Sequence, residues 1–153
     1  METSVVSYLT GRPSTDMVTT VRQRATQEWW DKRRKSFDIF VSQLVCDEAE
    51  DGDVEAAKRR MKILKPLRWL QIRSVTARLA RSLIHTRALP ETAADDAVHI
   101  ALEATRQMHF LLTWNFTHIN NAATEAKVKA VCEETCRHCP VICTPDELGE
   151  IEA

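Results

Sequence analysis

Short apolar runs alternate with segments of 3.6-residue periodicity along nearly the whole chain, and few hairpin signals interrupt them. Parallel strands need helical crossovers, so this alternation predicts an α/β fold: a parallel sheet covered by helices on both faces. The strand candidates are residues 37–41, 68–72, 109–114 and 141–143. The helix candidates are residues 17–35, 42–49, 54–64, 74–86, 122–135 and a segment that opens at Ala93. Asp16 and Asp53 precede two of them as N-caps, and the basic run from Lys32 to Lys35 suits a helix C-terminus. Pro145 suggests one more helix start near the end of the chain. At 153 residues the chain is expected to be a single domain spanning 1–153.

Residues 93–121 are the most informative unit. Ala93, Ala97, Ile100, Ala101 and Ala104 recur at helical spacing, with Asp95 and Asp96 one turn in. The run H-F-L-L-T-W is too short for a helix and reads as a buried strand. Asn115 follows where that strand ends. In open α/β sheets, sites form outside the carboxyl ends of the strands. A helix carboxylate and a strand-end amide therefore fall close together in the chain.

Several function classes lose support. Lys plus Arg is 21 and Asp plus Glu is 22, a net charge of −1, which gives no electrostatic case for bulk nucleic-acid binding. Three glycines and no G-x-G-x-x-G or P-loop leave nucleotide-cofactor readings without their main motif. No apolar run is long enough to span a bilayer, and no signal peptide is read at the amino terminus. A cytoplasmic, reducing setting is the expectation, and the five cysteines, an odd number, argue against a complete disulfide framework.

Acidic residues fall at the element junctions. Glu2 precedes the first short helix, Glu48 lies on the helix after strand 37–41, and Asp96 lies on the helix before strand 109–114. With the Asn115 amide they would form an oxygen-rich set at one end of a parallel sheet. Hard cations such as Mg²⁺ or Mn²⁺ take such ligands, activate water and stabilise phosphoryl charge. The alternative is four ordinary surface groups in a chain with 22 acids. Two rival ligand sets stand beside this one. Cys132, Cys136, Cys139 and Cys143, with His138, have zinc-binding chemistry, though only one C-x-x-C is present. Asp96, His99 and Glu103 share a helix face, where His99 is either a ligand or an orienting group. His118 is either a phosphate contact or a cap. Trp29 and Trp30 cannot both face the core, so one is expected at a rim that a partner contacts. The basic clusters 32–35 and 59–65 are either guides for an RNA backbone or solvated helix faces.

The ordered segments E-T-S-V-V-S-Y-L-T, S-Q-L-V-C-D-E-A, D-A-V-H-I-A, L-L-T-W-N-F-T-H-I-N-N-A and P-V-I-C-T-P-D-E-L resemble a PIN domain, nearest to the VapBC-type toxin branch. The resemblance covers nearly the whole chain. It implies a three-layer α/β/α sandwich with a central parallel sheet, and a Mg²⁺- or Mn²⁺-dependent endoribonuclease. It also implies an RNA substrate, a cognate antitoxin, a homodimer and no membrane partner. The family's four acidic positions match Glu2, Glu48, Asp96 and Asn115 as catalytic residues, the first three as metal ligands. Thr3, Ser4 and Thr113 match the flanking hydroxyl positions, and His99 stands beside them as a supporting group.

Two departures follow. Many PIN domains carry Asp where Glu2 and Asn115 stand, so the site has three charges rather than four and weaker metal binding is expected. The family's first strand precedes the first acid, where only Met1 stands. The expectation is a start upstream of Met1, or a chain lacking a core strand whose neighbours would keep unpaired backbone groups. A catalytically inactive PIN-like binding module, or an unrelated α/β interaction domain, are the other function classes.

Overall fold

Side-chain caps set most of the helix starts. The Glu2 carboxylate accepts from Ser4 N–H and opens α1 (Thr3–Thr10). Asp16 accepts from Thr19 N–H and opens α2 (Met17–Lys32). Ser42 and Asp53 do the same for α3 (Gln43–Glu50) and α4 (Val54–Leu64). Each cap satisfies one of the amide groups that a helix start leaves without a partner. The computed structural model describes residues 1–149. It divides into two compact units: Met1–Leu70 with Leu112–Trp114 and the chain from Cys143 on, and Gln71–Leu111 with Asn115–Ile142.

In the first unit, β1 (Phe40–Ser42) pairs in parallel with β2 (Arg68–Leu70), with Val41 opposite Trp69. Both strands are shorter than expected. Phe37 N–H bonds Arg34 O and closes a 3₁₀ turn (Arg34–Ser36), so α2 stops at Lys32 and extended pairing waits until Phe40. At the other end Ser42 becomes the cap of α3, which leaves Leu70 the last residue of β2 with a partner. The Met1 amino group donates to Phe40 O at 2.9 Å and Glu2 N–H to Leu112 O at 3.0 Å. Met1 and Glu2 thus stand between β1 and the end of β3 (Phe110–Leu112), and those two carbonyls are satisfied.

Helix α1 packs on α2, α3 and α4. Val5, Val6, Val45, Ala49 and Leu64 are buried there. Trp114 Nε1 donates to Thr26 Oγ1 at 2.8 Å, and its ring meets Tyr8 edge-on at 6.0 Å. Arg22 lies over both rings, 5.9 Å from the Tyr8 centroid and 5.7 Å from that of Trp114. Trp29 is buried, while Trp30 is half-buried under the Arg34 guanidinium at 4.6 Å. The tryptophan pair divides as its helical positions require.

The second unit packs α5 (Ser74–His85), α6 (Ala94–Thr105) and α7 (Glu125–Cys136) around one apolar cluster that includes Leu79, Leu83, Leu89, Ile100, Leu111, Val128 and Val131. A 3₁₀ turn (Glu91–Ala93) leads into α6. Helix α7 starts three residues later than expected. Asn121 takes the preceding amides, its Oδ1 from Ala123 N–H and its carbonyl from Thr124 and Glu125 N–H. Strand β4 (Val141–Cys143) pairs with β3. Val141 N–H donates to His109 O, and further on Thr113 N–H donates to Cys143 O. The bonds advance together along both strands, which is the parallel pattern. Residues 144–149, after β4, form one turn rather than a helix. The Glu147 side chain bonds back to Thr144 N–H and its backbone N–H returns to Thr144 O.

The result is a mixed α/β chain, mostly helical, with short parallel strands. Among the described residues no helix is long and apolar enough to cross a membrane.

Candidate functional site

Three of the expected unit-one residues, Ser4, Thr113 and Glu48, converge on Glu2. Its backbone is held by Leu112 O and its side chain is turned inward as the cap of α1, leaving the residue 6% exposed. One carboxylate oxygen accepts from Ser4 N–H at 3.1 Å. The other accepts from Ser4 Oγ–H and from Thr113 Oγ1–H, the latter at 2.7 Å. Ser4 Oγ in turn accepts from Trp114 N–H at 2.8 Å. A buried carboxylate is tolerated where donors satisfy it, and Glu2 has three.

Glu48, half-buried on α3, places a carboxylate oxygen within 4.8 Å of one on Glu2. Two oxygens on one Mg²⁺ ion lie at most about 4.2 Å apart, twice the ~2.1 Å bond length. The pair is therefore at or near the span of a single hard cation. Close by in sequence, Thr3 Oγ1 is buried and has no hydrogen-bond partner among the described residues. Ser4 and Thr113 bond the Glu2 carboxylate, and Thr3 Oγ1 does not. The two carboxylates belong to a group that could hold a metal ion.

In the second unit Asp96 sits in the first turn of α6, at the positive end of the helix. One of its oxygens accepts from Asn115 Nδ2–H at 2.9 Å, and the other lies 2.8 Å from His118 Nδ1. Asn115 Oδ1 accepts from the N–H groups of Thr117 and His118, each at 3.1 Å. The Asn115 carbonyl oxygen organises a turn, and its amide faces Asp96. His118 pairs with Asp96. Sequence reasoning noted His118 but missed that pairing, for which the only signal is its place three residues after Asn115.

Among the described residues the rival ligand sets within the second unit are not gathered. Asp96, His99 and Glu103 share α6, with His99 and Glu103 buried, yet among the described residues their ligand atoms are not gathered within 4.8 Å of one another. The same holds for Cys132, Cys136 and Cys139 as a zinc set. The basic cluster on α4 is partly spent on structure: Arg59 donates to Thr10 O, and Arg60 to Ala49 O and Asp51 O. Unit two has a groove of about 1720 Å³ rimmed by Arg78, Arg81 and Arg87 over Ile84, Leu89 and Val98. Asp96, Asn115 and His118 do not line it.

No protein-family model, curated protein or solved structure matches the chain.

Proposed function

We propose that the chain is a metal-dependent ribonuclease of PIN type, from the toxin branch, with the three-layer α/β/α arrangement of that family. Glu2 and Glu48 are its cation ligands. The observation that carries the reading is the Glu2–Glu48 pair, two carboxylates within 4.8 Å on positions that match the family's first two acids. When bound, Mg²⁺ or Mn²⁺ supplies Lewis acidity and an activated water at an RNA phosphodiester. The chain's own residues fix the ligands. Ser4 and Thr113 hold the Glu2 carboxylate in one orientation, and the α3 backbone presents Glu48. No nucleophilic side chain is needed. Asp96 is the third acid by resemblance. An antitoxin protein and a second copy of the chain are the partners this reading carries, and the cell interior is its setting.

One observation favours a second reading, a PIN-like binding module without catalysis. Both Asp96 oxygens and the Asn115 carbonyl are already engaged within unit two. The test is cleavage of a panel of structured RNAs by purified protein in Mg²⁺ or Mn²⁺, with EDTA, Glu48→Gln and Asp96→Ala beside it. Cleavage that needs metal and is lost in Glu48→Gln supports the nuclease. Cleavage that survives EDTA or Glu48→Gln overturns it. A folded, metal-loaded protein that binds RNA without cutting it supports the module.

A further inference from the structure

The groove of the second unit is built from helices and the segment that joins two of them. At about 1720 Å³ it exceeds the roughly 300–1,000 Å³ of clefts that enclose small molecules. Its lining comes from α5, the chain that follows it, α6 and both ends of α7, and no strand residue takes part. Ile84 and Val98 pack against the apolar cluster of the unit and remain half-buried where they line the groove. Among the described residues the lining holds no phenylalanine, tyrosine or tryptophan.

The charge on this groove is one-sided. Arg78, Arg81 and Arg87 are exposed, and their guanidinium groups make no hydrogen bond or ion pair among the described residues. Glu91 is the one carboxylate on the described lining. Arginines elsewhere are used by the fold: Arg59 and Arg60 donate to backbone carbonyls, and Arg68 lies 3.7 Å from Asp38. Arg78, Arg81 and His85 follow one another at three and four residues, so they form one stripe about 10 Å long on α5. Arg87 stands just past the end of that helix. Its N–H bonds Ile84 O, and Ala88 N–H bonds Leu83 O, the paired closure that turns the next residue left-handed. Arg87 adopts that conformation at φ 57°, which fixes its backbone at the end of the groove.

We propose that this groove docks an acidic amphipathic helix of a partner protein. An aliphatic floor between helices takes the apolar face of such a helix, anchored at three- and four-residue spacing. The arginine stripe then meets carboxylates that recur at the same spacing on the partner, and opposite charge selects it over a basic helix. An extended strand has no sheet edge here to join. An RNA strand lacks the aromatic platforms on which its bases would stack. This inference is independent of the ribonuclease reading.

The test is a display selection of random peptides of about four helical turns on the full chain, with Arg78→Glu/Arg81→Glu as the counter-target. Enriched sequences should carry Glu or Asp at three- and four-residue spacing beside a stripe of Leu or Ile. A selected peptide, labelled and followed by fluorescence anisotropy, should bind the charge-reversed variant about tenfold more weakly and lose affinity as salt rises. Its methyl NMR shifts should fall on Ile84, Leu89 and Val98. A selection that enriches nothing, enriched sequences without acids, or affinity untouched by charge reversal overturns the proposal. So does a single-stranded RNA that binds through the same arginines when no peptide does. Self-association of wild type that the reversal abolishes would seat a second copy in the groove and overturn it too. Arg87→Gly separates binding from folding, because glycine suits the left-handed position. That variant should unfold at the wild-type Tm or above and bind the selected peptide several-fold more weakly. Unchanged affinity would overturn the part given to Arg87.

Discussion

Glu2 in the first unit and Asp96 in the second are both carboxylates at helix starts, and both were expected among the metal ligands. Their surroundings differ in kind. Glu2 is held by hydroxyl and amide donors and faces a second carboxylate, that of Glu48. These two carboxylates belong to a group that could hold a metal ion. Asp96 instead meets an amide and an imidazole, one on each oxygen. Such a carboxylate is already satisfied by protein. The neighbouring donors, more than a place at a helix start, decide whether a carboxylate is left to bind metal.

The largest expected effect would break that contrast or establish it. Glu48→Gln removes one charge from the pair and should lower metal-dependent RNA cleavage by about 100-fold or more. Asp96→Asn should cost distinctly less, and equal losses in RNA-cleavage rates would erase the difference drawn here. Next in size is support for Glu2. Thr113→Val deletes a buried donor to its carboxylate and should weaken apparent Mn²⁺ affinity about 10-fold. An isothermal titration of Mn²⁺ into wild type and variant measures it.

His118→Ala probes the other side of the comparison. Loss of a half-buried partner of Asp96 should reduce stability by about 1 kcal/mol in urea unfolding and leave Mn²⁺ affinity unchanged. A large change in Mn²⁺ affinity would mean that the Asp96 network takes part in binding metal. The smallest effect concerns thiols of the first unit. Burial, then the neighbouring acids, push Cys46 and Cys143 from 9.0 up to about 11. A folded value above the unfolded one means that the folded state keeps its proton longer. Stability should therefore be constant below about pH 9 and fall as pH rises toward 11. Cys46→Ala should flatten that fall in a Tm-versus-pH series, whereas an unchanged slope would assign it to other groups.

Much of the local architecture was readable from short-range chemistry. Asp16 and Asp53 marked the starts of α2 and α4, the bounds of α4 were those expected, and 141–143 was correctly a strand. These features depend on a cap and a periodicity within a few residues. Strand lengths were not readable, because pairing ends where a partner is diverted, as Ser42 is into the cap of α3. At the candidate site, the residue types were legible and their partners were not. The bond from His118 to Asp96 spans 22 positions and depends on the turn that Asn115 builds. The bond from Thr113 to Glu2 spans 111 and exists only once Glu2 lies beside Leu112. Long-range pairings of this kind follow from topology, which periodicity does not encode.

The hydroxyl of Ser4 has a single hydrogen, and its direction is settled. Trp114 N–H occupies its acceptor side, so the hydrogen goes to Glu2. One small atom therefore serves two clients, and no substitution can please one of them alone. Alanine would remove one donor from Glu2 and an acceptor from Trp114 N–H, asparagine brings more bulk, and only threonine retains the same hydroxyl. In a saturation-mutagenesis library selected for folding, this position should tolerate two letters of the alphabet, while its neighbour Thr3 drifts more freely.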